Sequence, residues 1–217
     1  MFAGGVKKLR EGLSHGRSGT QRTPTDRQLG TGGHGRVIEA DGMRTEEHEV
    51  KNLDERVAYI MKMIRKGKKD PRIRKFTVQL CSKKCGSNWC ISAKDWEGEV
   101  VACFEAVREH VRYIHDTYGV DLFQHPVRTL EFAGEDCDGL AIVLGSMLQS
   151  IGFKIWLRVI RTTASADWDH IYLIVEIPPC RGKKMRRAAL DASVNKAPGW
   201  EAPARMVVWK RDYEVPA

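Results

Sequence analysis

At Gly152 the apolar rhythm of the chain changes. Upstream, apolar residues recur at steps of three and four, the period of a helix buried along one side. Downstream, in FKIWLRVI (153–160), Phe153, Ile155, Leu157 and Val159 alternate with Lys154, Trp156 and Arg158, the period of a strand. Helices first and strands later, with short turns between the strands, predict an α+β fold in which N-terminal helices pack on an antiparallel sheet.

The helical half has three clear members. Leu53, Val57, Ile60 and Ile64 share one helical face, with Asn52 or Asp54 as its cap. Gly67 is the expected stop, and Pro71 the first turn of a further short helix beside these three. Val100, Phe104, Val107, Val111, Ile114 and Tyr118 predict a longer helix closed by Gly119. GVDLFQHPVRTLEFAGED then reads as a connection, and Leu140, Leu144, Met147 or Leu148, and Ile151 as the stripe of a third helix. Beyond the 153–160 strand, residues 168–177, 187–193 and 205–211 are further strand candidates.

Composition sets the frame. With 42% hydrophobic and 29% charged residues over 217 positions, the chain can bury a core, and wholesale disorder is excluded. Residues 1–50 differ: SHGRSGTQRTPTDRQLGTGGHGRV has no apolar period and predicts a flexible basic Gly/Ser/Arg-rich arm, leaving 51–217 as the folded domain. The net charge of +8, the arm and the basic run at 62–75 suit an acidic partner such as nucleic acid; ordinary solvated charge accounts for them too. No apolar stretch approaches membrane-spanning length, so no membrane partner is expected. MFAGGVKKLREGL lacks the apolar run of a secretory signal, and six cysteines do not make a disulfide scaffold; a cytoplasmic protein with reduced thiols is expected.

One cysteine stands apart. In GEDCDG, Cys137 lies between two aspartates at the first turn of the third helix. Unpaired N–H groups there favour a thiolate, the nucleophilic form, while Asp136 and Asp138 oppose it. A base is needed. His170, in the second strand, supplies one at a fixed place, and Asp191, on the adjacent strand, can hold the far ring nitrogen. Each has an ordinary counterpart: a packed thiol, a structural histidine, a turn-capping aspartate.

These residues, in this order, resemble the transglutaminase-like superfamily, in its bacterial and phage-encoded branch. The resemblance runs through YIHDTYGVDLFQHPVRTLEFAGEDCDGLAIVLGSMLQSIGF, DHIYLIVEI and ALDAS, and covers roughly residues 54–203. It implies a papain-like core with Cys137, His170 and Asp191 as a catalytic triad, acyl transfer from a protein or peptide amide to water or an amine, and no required cofactor. A cytoplasmic place follows, or a virion-associated one if the chain is phage-encoded. The box departs from the family's by one residue inserted after Gly134 and by Gly139 in place of a second aspartate; Ala192 replaces the usual proline. Gln124 is a candidate second oxyanion donor beside the Cys137 N–H, and Trp168 and Trp200 are candidate cleft walls. Cys81, Cys85 and Cys90 are spaced so that a structural zinc, a redox disulfide or free thiols are all open. The alternative to an enzyme is a catalytically silent structural or virion-associated protein of the same fold, docking through its basic arm.

Overall fold

A short polar side chain sets the start of each of the longer helices. Asn52 accepts from the Glu55 N–H at 2.9 Å and opens α1 (Leu53–Lys69), whose first turn is acidic and whose last turn is basic, as the helix dipole favours. Asp70 ends α1 and caps α2 (Pro71–Cys81), accepting from the Arg72 N–H at 2.8 Å, with Pro71 at the first helical position. Asp95 does the same for α3 (Trp96–His110). A short α4 (Pro126–Phe132) precedes α5 (Cys137–Ser150). The structure, a computed structural model, describes residues 35–40, 43–48, 52–115, 123–164, 168–180 and 182–217.

The centre of the molecule is α5. Every residue from Asp138 to Ser150 is buried, so this helix is covered all round rather than along the single stripe its spacing predicts. The helices α1 to α4 pack around it on one side, and the sheet closes the other. The sheet is antiparallel throughout, in the order β10 (Trp209–Glu214), β7 (Lys154–Arg161), β8 (His170–Ile177), β9 (Arg186–Leu190). Ile155, Leu157, Val159, Ile171, Leu173, Val175 and Leu190 face the helices. Trp156, Ile160, Tyr172, Ile174 and Ala189 form a second cluster on the other face, under Ala202 and Val207. The mixed helix-and-antiparallel-sheet architecture agrees with the α+β expectation.

Several local expectations give way to tertiary demands. Trp156 does not point to solvent but packs in that second cluster with the Arg187 guanidinium 3.7 Å over its ring. The longer expected helix does not continue through Val111 and Ile114: α3 ends at His110, and Ile114 is 53% exposed. The backbone there is used otherwise. Arg112–Tyr113 (β5) pairs in parallel with Gly134–Glu135 (β6), the residues leading into Cys137. The stretch between is not a plain connection, since it contains α4. The expected last two strands shift to 186–190 and 209–214, which leaves Asp191 just past the end of β9. Within the expected arm, Gly35–Ala40 (β1) and Met43–His48 (β2) form an antiparallel hairpin rather than structureless chain, and the rest of 1–51 lies outside the described residues. Tyr118 and Gly119 lie outside them as well. Among the described residues no helix is long and apolar enough to cross a membrane.

Gly67 is not a helix stop. It is buried inside α1, where an added Cβ would lie 2.3 Å from both the Pro126 ring and the Ser146 hydroxyl. The missing side chain lets α1 approach α4 and α5 closely. Gly67→Ala is therefore expected to destabilise the protein by about 1–3 kcal/mol, as overpacking does. Urea unfolding checks this, with an unchanged m-value and a lower midpoint.

Candidate active site

The box that carries Cys137 is held from three sides. Arg112 N–H donates to the Ala133 carbonyl and Ile114 N–H to that of Glu135, both at 2.9 Å, and these bonds fix the approach of the chain. Asp136 caps α5 through the Gly139 N–H at 3.0 Å, and its carbonyl accepts from Leu140. The Cys137 N–H, in the first turn, has no intrahelical acceptor. Gly139 is required here, because a Cβ would fall 1.6 Å from the Glu135 side chain. Glycine at this position thus has a steric cause.

The third hold is Arg56, on α1. Its Nε and Nη2 both lie 2.6 Å from Asp138 Oδ2, and Nη2 is 3.9 Å from Asp136 Oδ2. The indole of Trp168 covers the guanidinium at 4.1 Å, and Phe123 lies 5.6 Å from it. Arg56 and both aspartates are buried. Sequence reasoning missed Arg56, since it stands one position off the apolar stripe of α1 and looks like a solvated charge; its place next to Val57 is the only local hint.

Two of the three expected triad members meet. His170 Nε2 lies 2.7 Å from Asp191 Oδ2. The strands bring them together: β8 begins at His170 and pairs with β9, which ends at Leu190. Burial works against the Asp191 carboxylate, but the His170 bond and charge and the two bonds from Ser193 outweigh it and hold this carboxyl below its ordinary range. Ser193 donates to Asp191 Oδ1 from its hydroxyl at 2.6 Å and its N–H at 3.1 Å. It is a second residue that sequence reasoning passed over; an Asp-x-Ser turn is the signal that could have found it. An ionised Asp191 only accepts, so Nε2 carries the ring proton and Nδ1 of the neutral ring is left with its lone pair.

Cys137 is not hydrogen-bonded to His170. Its sulfur lies 3.7 Å from Asp138 Oδ1, the acceptor for its S–H, and the Ile171 N–H, one residue beyond His170, is directed to it. Burial pushes the thiol well above its usual range, and repulsion from Asp138 and Asp136 adds to this; the Ile171 N–H and the Arg56 charge act in the opposite sense. The sulfur borders a narrow recess of about 10 Å³, lined also by Tyr172, Asp191, Ala192 and Ser193, with room for about one water molecule. That is far below the range of about 300–1,000 Å³ usual for small-molecule pockets.

Gln124 follows Phe123 in the chain, next to the Arg56 network; its Oε1 is buried without a partner. The candidate zinc set is not assembled. Cys85 and Cys90 form a disulfide across the hairpin of β3 (Lys84–Cys85) and β4 (Asn88–Trp89), while Cys81 is a free thiol that accepts a hydrogen bond from the buried free thiol of Cys103. The expectation of wholly reduced thiols is corrected by the same disulfide. Asp136, Cys137 and Asp138 bring donor atoms within 4.8 Å of one another, but the Arg56 guanidinium already supplies the positive charge there.

No family model and no curated protein matches the sequence. Among solved structures, a candidate protease from Parabacteroides distasonis ATCC 8503 superposes with a TM-score of 0.42 at 12% identity, over 75% of this chain and 39% of that one. The chain thus spans about two fifths of that protein, and a superposition this loose does not define a common fold.

The raised thiol has a testable consequence. Its anion forms only above the pH at which an ordinary cysteine, near 8.5, ionises. Asp136→Asn keeps the cap and removes one repelling charge. It is expected to move the midpoint of Cys137 alkylation to lower pH and to raise the rate at pH 8, as followed by mass spectrometry of the labelled peptide. An unmoved midpoint would mean that the carboxylate does not act on the sulfur.

Proposed function

We propose that the chain is a cysteine-dependent acyl-transfer enzyme of transglutaminase-like, papain-like type, acting on a peptide or protein amide, with Cys137 as nucleophile, His170 as base and Asp191 as its orienting partner. The observation that carries this reading is the 2.7 Å bond between His170 Nε2 and the buried Asp191, beside a recess bordered by a half-buried thiol at a helix start. A carboxylate bound to one ring nitrogen fixes the tautomer in which the other is basic.

The chemistry follows from that tautomer. The Cys137 proton passes to Nδ1, and sulfur forms a bond to the substrate carbonyl carbon. The resulting oxyanion accepts from the Cys137 N–H and, in this reading, from the Gln124 amide. The imidazolium returns the proton to the departing amine as the C–N bond breaks, leaving a thioester. Water, or an amine, then attacks the thioester carbonyl, giving its proton to Nδ1; the C–S bond breaks, and the imidazolium returns that proton to the sulfur. A neutral resting thiol held by Asp138 fits a nucleophile that gives up its proton only as it attacks, once substrate has brought the sulfur and His170 Nδ1 together; apo geometry is commonly looser than the reacting geometry. The recess at rest has room for about one water molecule, so in this reading its lining parts to admit the acyl group next to the scissile bond, with the rest of a peptide chain lying outside it. Hydrolysis is favoured over cross-linking because water enters an open recess without a dedicated site.

A second reading has its own support. The raised thiol and the missing Cys137–His170 bond are what a silent relative, keeping the fold for binding alone, would show. An activated ester separates the two. With para-nitrophenyl acetate at neutral pH, the acetyl group is expected on Cys137 ahead of Cys81 and Cys180, and His170→Ala is expected to slow this roughly 100- to 10,000-fold. Equal acetylation of the three thiols, unaffected by His170→Ala, would leave the silent reading standing.

A further inference from the structure

The positive charge of the chain is concentrated in one place. Between Lys62 and Lys84 there are ten lysines and arginines and one acid, Asp70. That surplus of nine exceeds the +8 of the whole chain, so everything outside this stretch is close to neutral. The fold turns the charge outward. Both α1 and α2 bury their apolar faces on α5, and Lys62, Arg65, Lys66 and Lys69 share the opposite, exposed face of α1. On α2, Arg72, Arg74 and Lys75 are exposed. Asp70 offsets Arg72 alone, accepting from its guanidinium at 2.8 Å while it caps α2.

A second observation lies where α2 ends. The β3–β4 hairpin is closed covalently by Cys85–Cys90 and carries Trp89, which is 54% exposed, with the Lys84 ammonium 4.6 Å from its ring centroid. Indole exposed on a cross-linked turn does not serve the core, and it is continuous in sequence with the basic helices.

We propose that the exposed face of α1 and α2, with the β3–β4 hairpin, binds single-stranded nucleic acid. Arg65, Lys69, Lys75 and Lys84 contact phosphates, and Trp89 supplies a ring on which an unpaired base stacks. Charge complementarity selects a polyanion. A lipid surface would need apolar side chains turned the same way as the basic ones, as in an interfacial helix. Here the apolar faces of both helices are covered by α5, and Val78 is the one large apolar residue exposed on either. A duplex, whose bases are stacked on one another, would leave Trp89 without a role. The surface lies on the C-terminal part of α1, away from Arg56 at its start, and stands independently of the acyl-transfer reading.

The test uses the full chain and a labelled 20-nucleotide single-stranded DNA of mixed sequence, followed by fluorescence anisotropy. Affinity is expected to fall linearly on a log–log plot against salt. The triple variant Arg65→Glu, Lys69→Glu, Lys75→Glu should lose at least tenfold in affinity at low salt, with a salt slope shallower by about two, since each phosphate contact contributes about 0.7. Trp89→Ala should lose about 5- to 100-fold with the slope unchanged. In the unmodified protein, ultraviolet cross-linking should map to the peptide containing Trp89, which keeps the test valid if a variant misfolds. Absence of binding at 50 mM salt, cross-links confined to residues 1–50, equal competition by duplex, or tighter binding to anionic phospholipid vesicles would each overturn the proposal.

Discussion

The ion pair between Arg56 and Asp138 holds the molecule's centre and its candidate site in one arrangement. Helix α5 is buried on all sides, so the carboxylate in its first turn has no access to water. A charge in that place must be paired, and Arg56 pairs it with two 2.6 Å contacts from another helix. The pair is not a net gain in stability by itself, but removing one partner of such a pair costs about 3–5 kcal/mol. It therefore fixes the register of α1 on α5. Gly67 and Gly145, where bulkier residues would collide with Ser146 and Ile64, allow the same two helices to meet closely along their length.

The same pair sets the electrostatics of Cys137. Two aspartates beside a thiol raise its pKa; a guanidinium beside those aspartates moderates the rise. The sulfur consequently rests protonated, tied to Asp138, with the Ile171 N–H pointing at it. On the neighbouring strand end, Asp191 is kept ionised by His170 and Ser193 and fixes the ring so that Nδ1 is basic. The two groups are thus held separately: a ring bound to Asp191 through Nε2, and a protonated thiol that donates to Asp138.

Legibility from sequence followed the physics of each signal. The change of period at Gly152 reported the helix-to-sheet transition, because alternation in β7 reflects its own two faces. His170 and Asp191 could be placed together, because neighbouring antiparallel strands carry their register in their spacing. What failed was whatever depended on distant residues. The apolar period of α3 continues past His110, but backbone pairing with Gly134–Glu135 claims Arg112 and Tyr113. Gly67 has the form of a terminator and serves as a contact. Arg56 looks like a surface charge until Asp138, 82 residues away, is brought against it. The spacing of Cys81, Cys85 and Cys90 left zinc, disulfide and free thiol all open, and only the hairpin geometry chooses among them.

The central claim is spatial: a substrate carbonyl on Cys137 would face a helix-start N–H on one side and the His170 ring on the other. A crystal structure of the protein with Cys137 carboxamidomethylated tests it most directly, since the adduct's carbonyl stands in for that of an acyl group. The account predicts the adduct in the recess between α5 and β9, its oxygen roughly 3 Å from the Cys137 N–H, with His170 Nδ1 turned toward the sulfur and Nε2 still on Asp191. An adduct directed away from the recess, with His170 Nδ1 pointing to another surface, would contradict it.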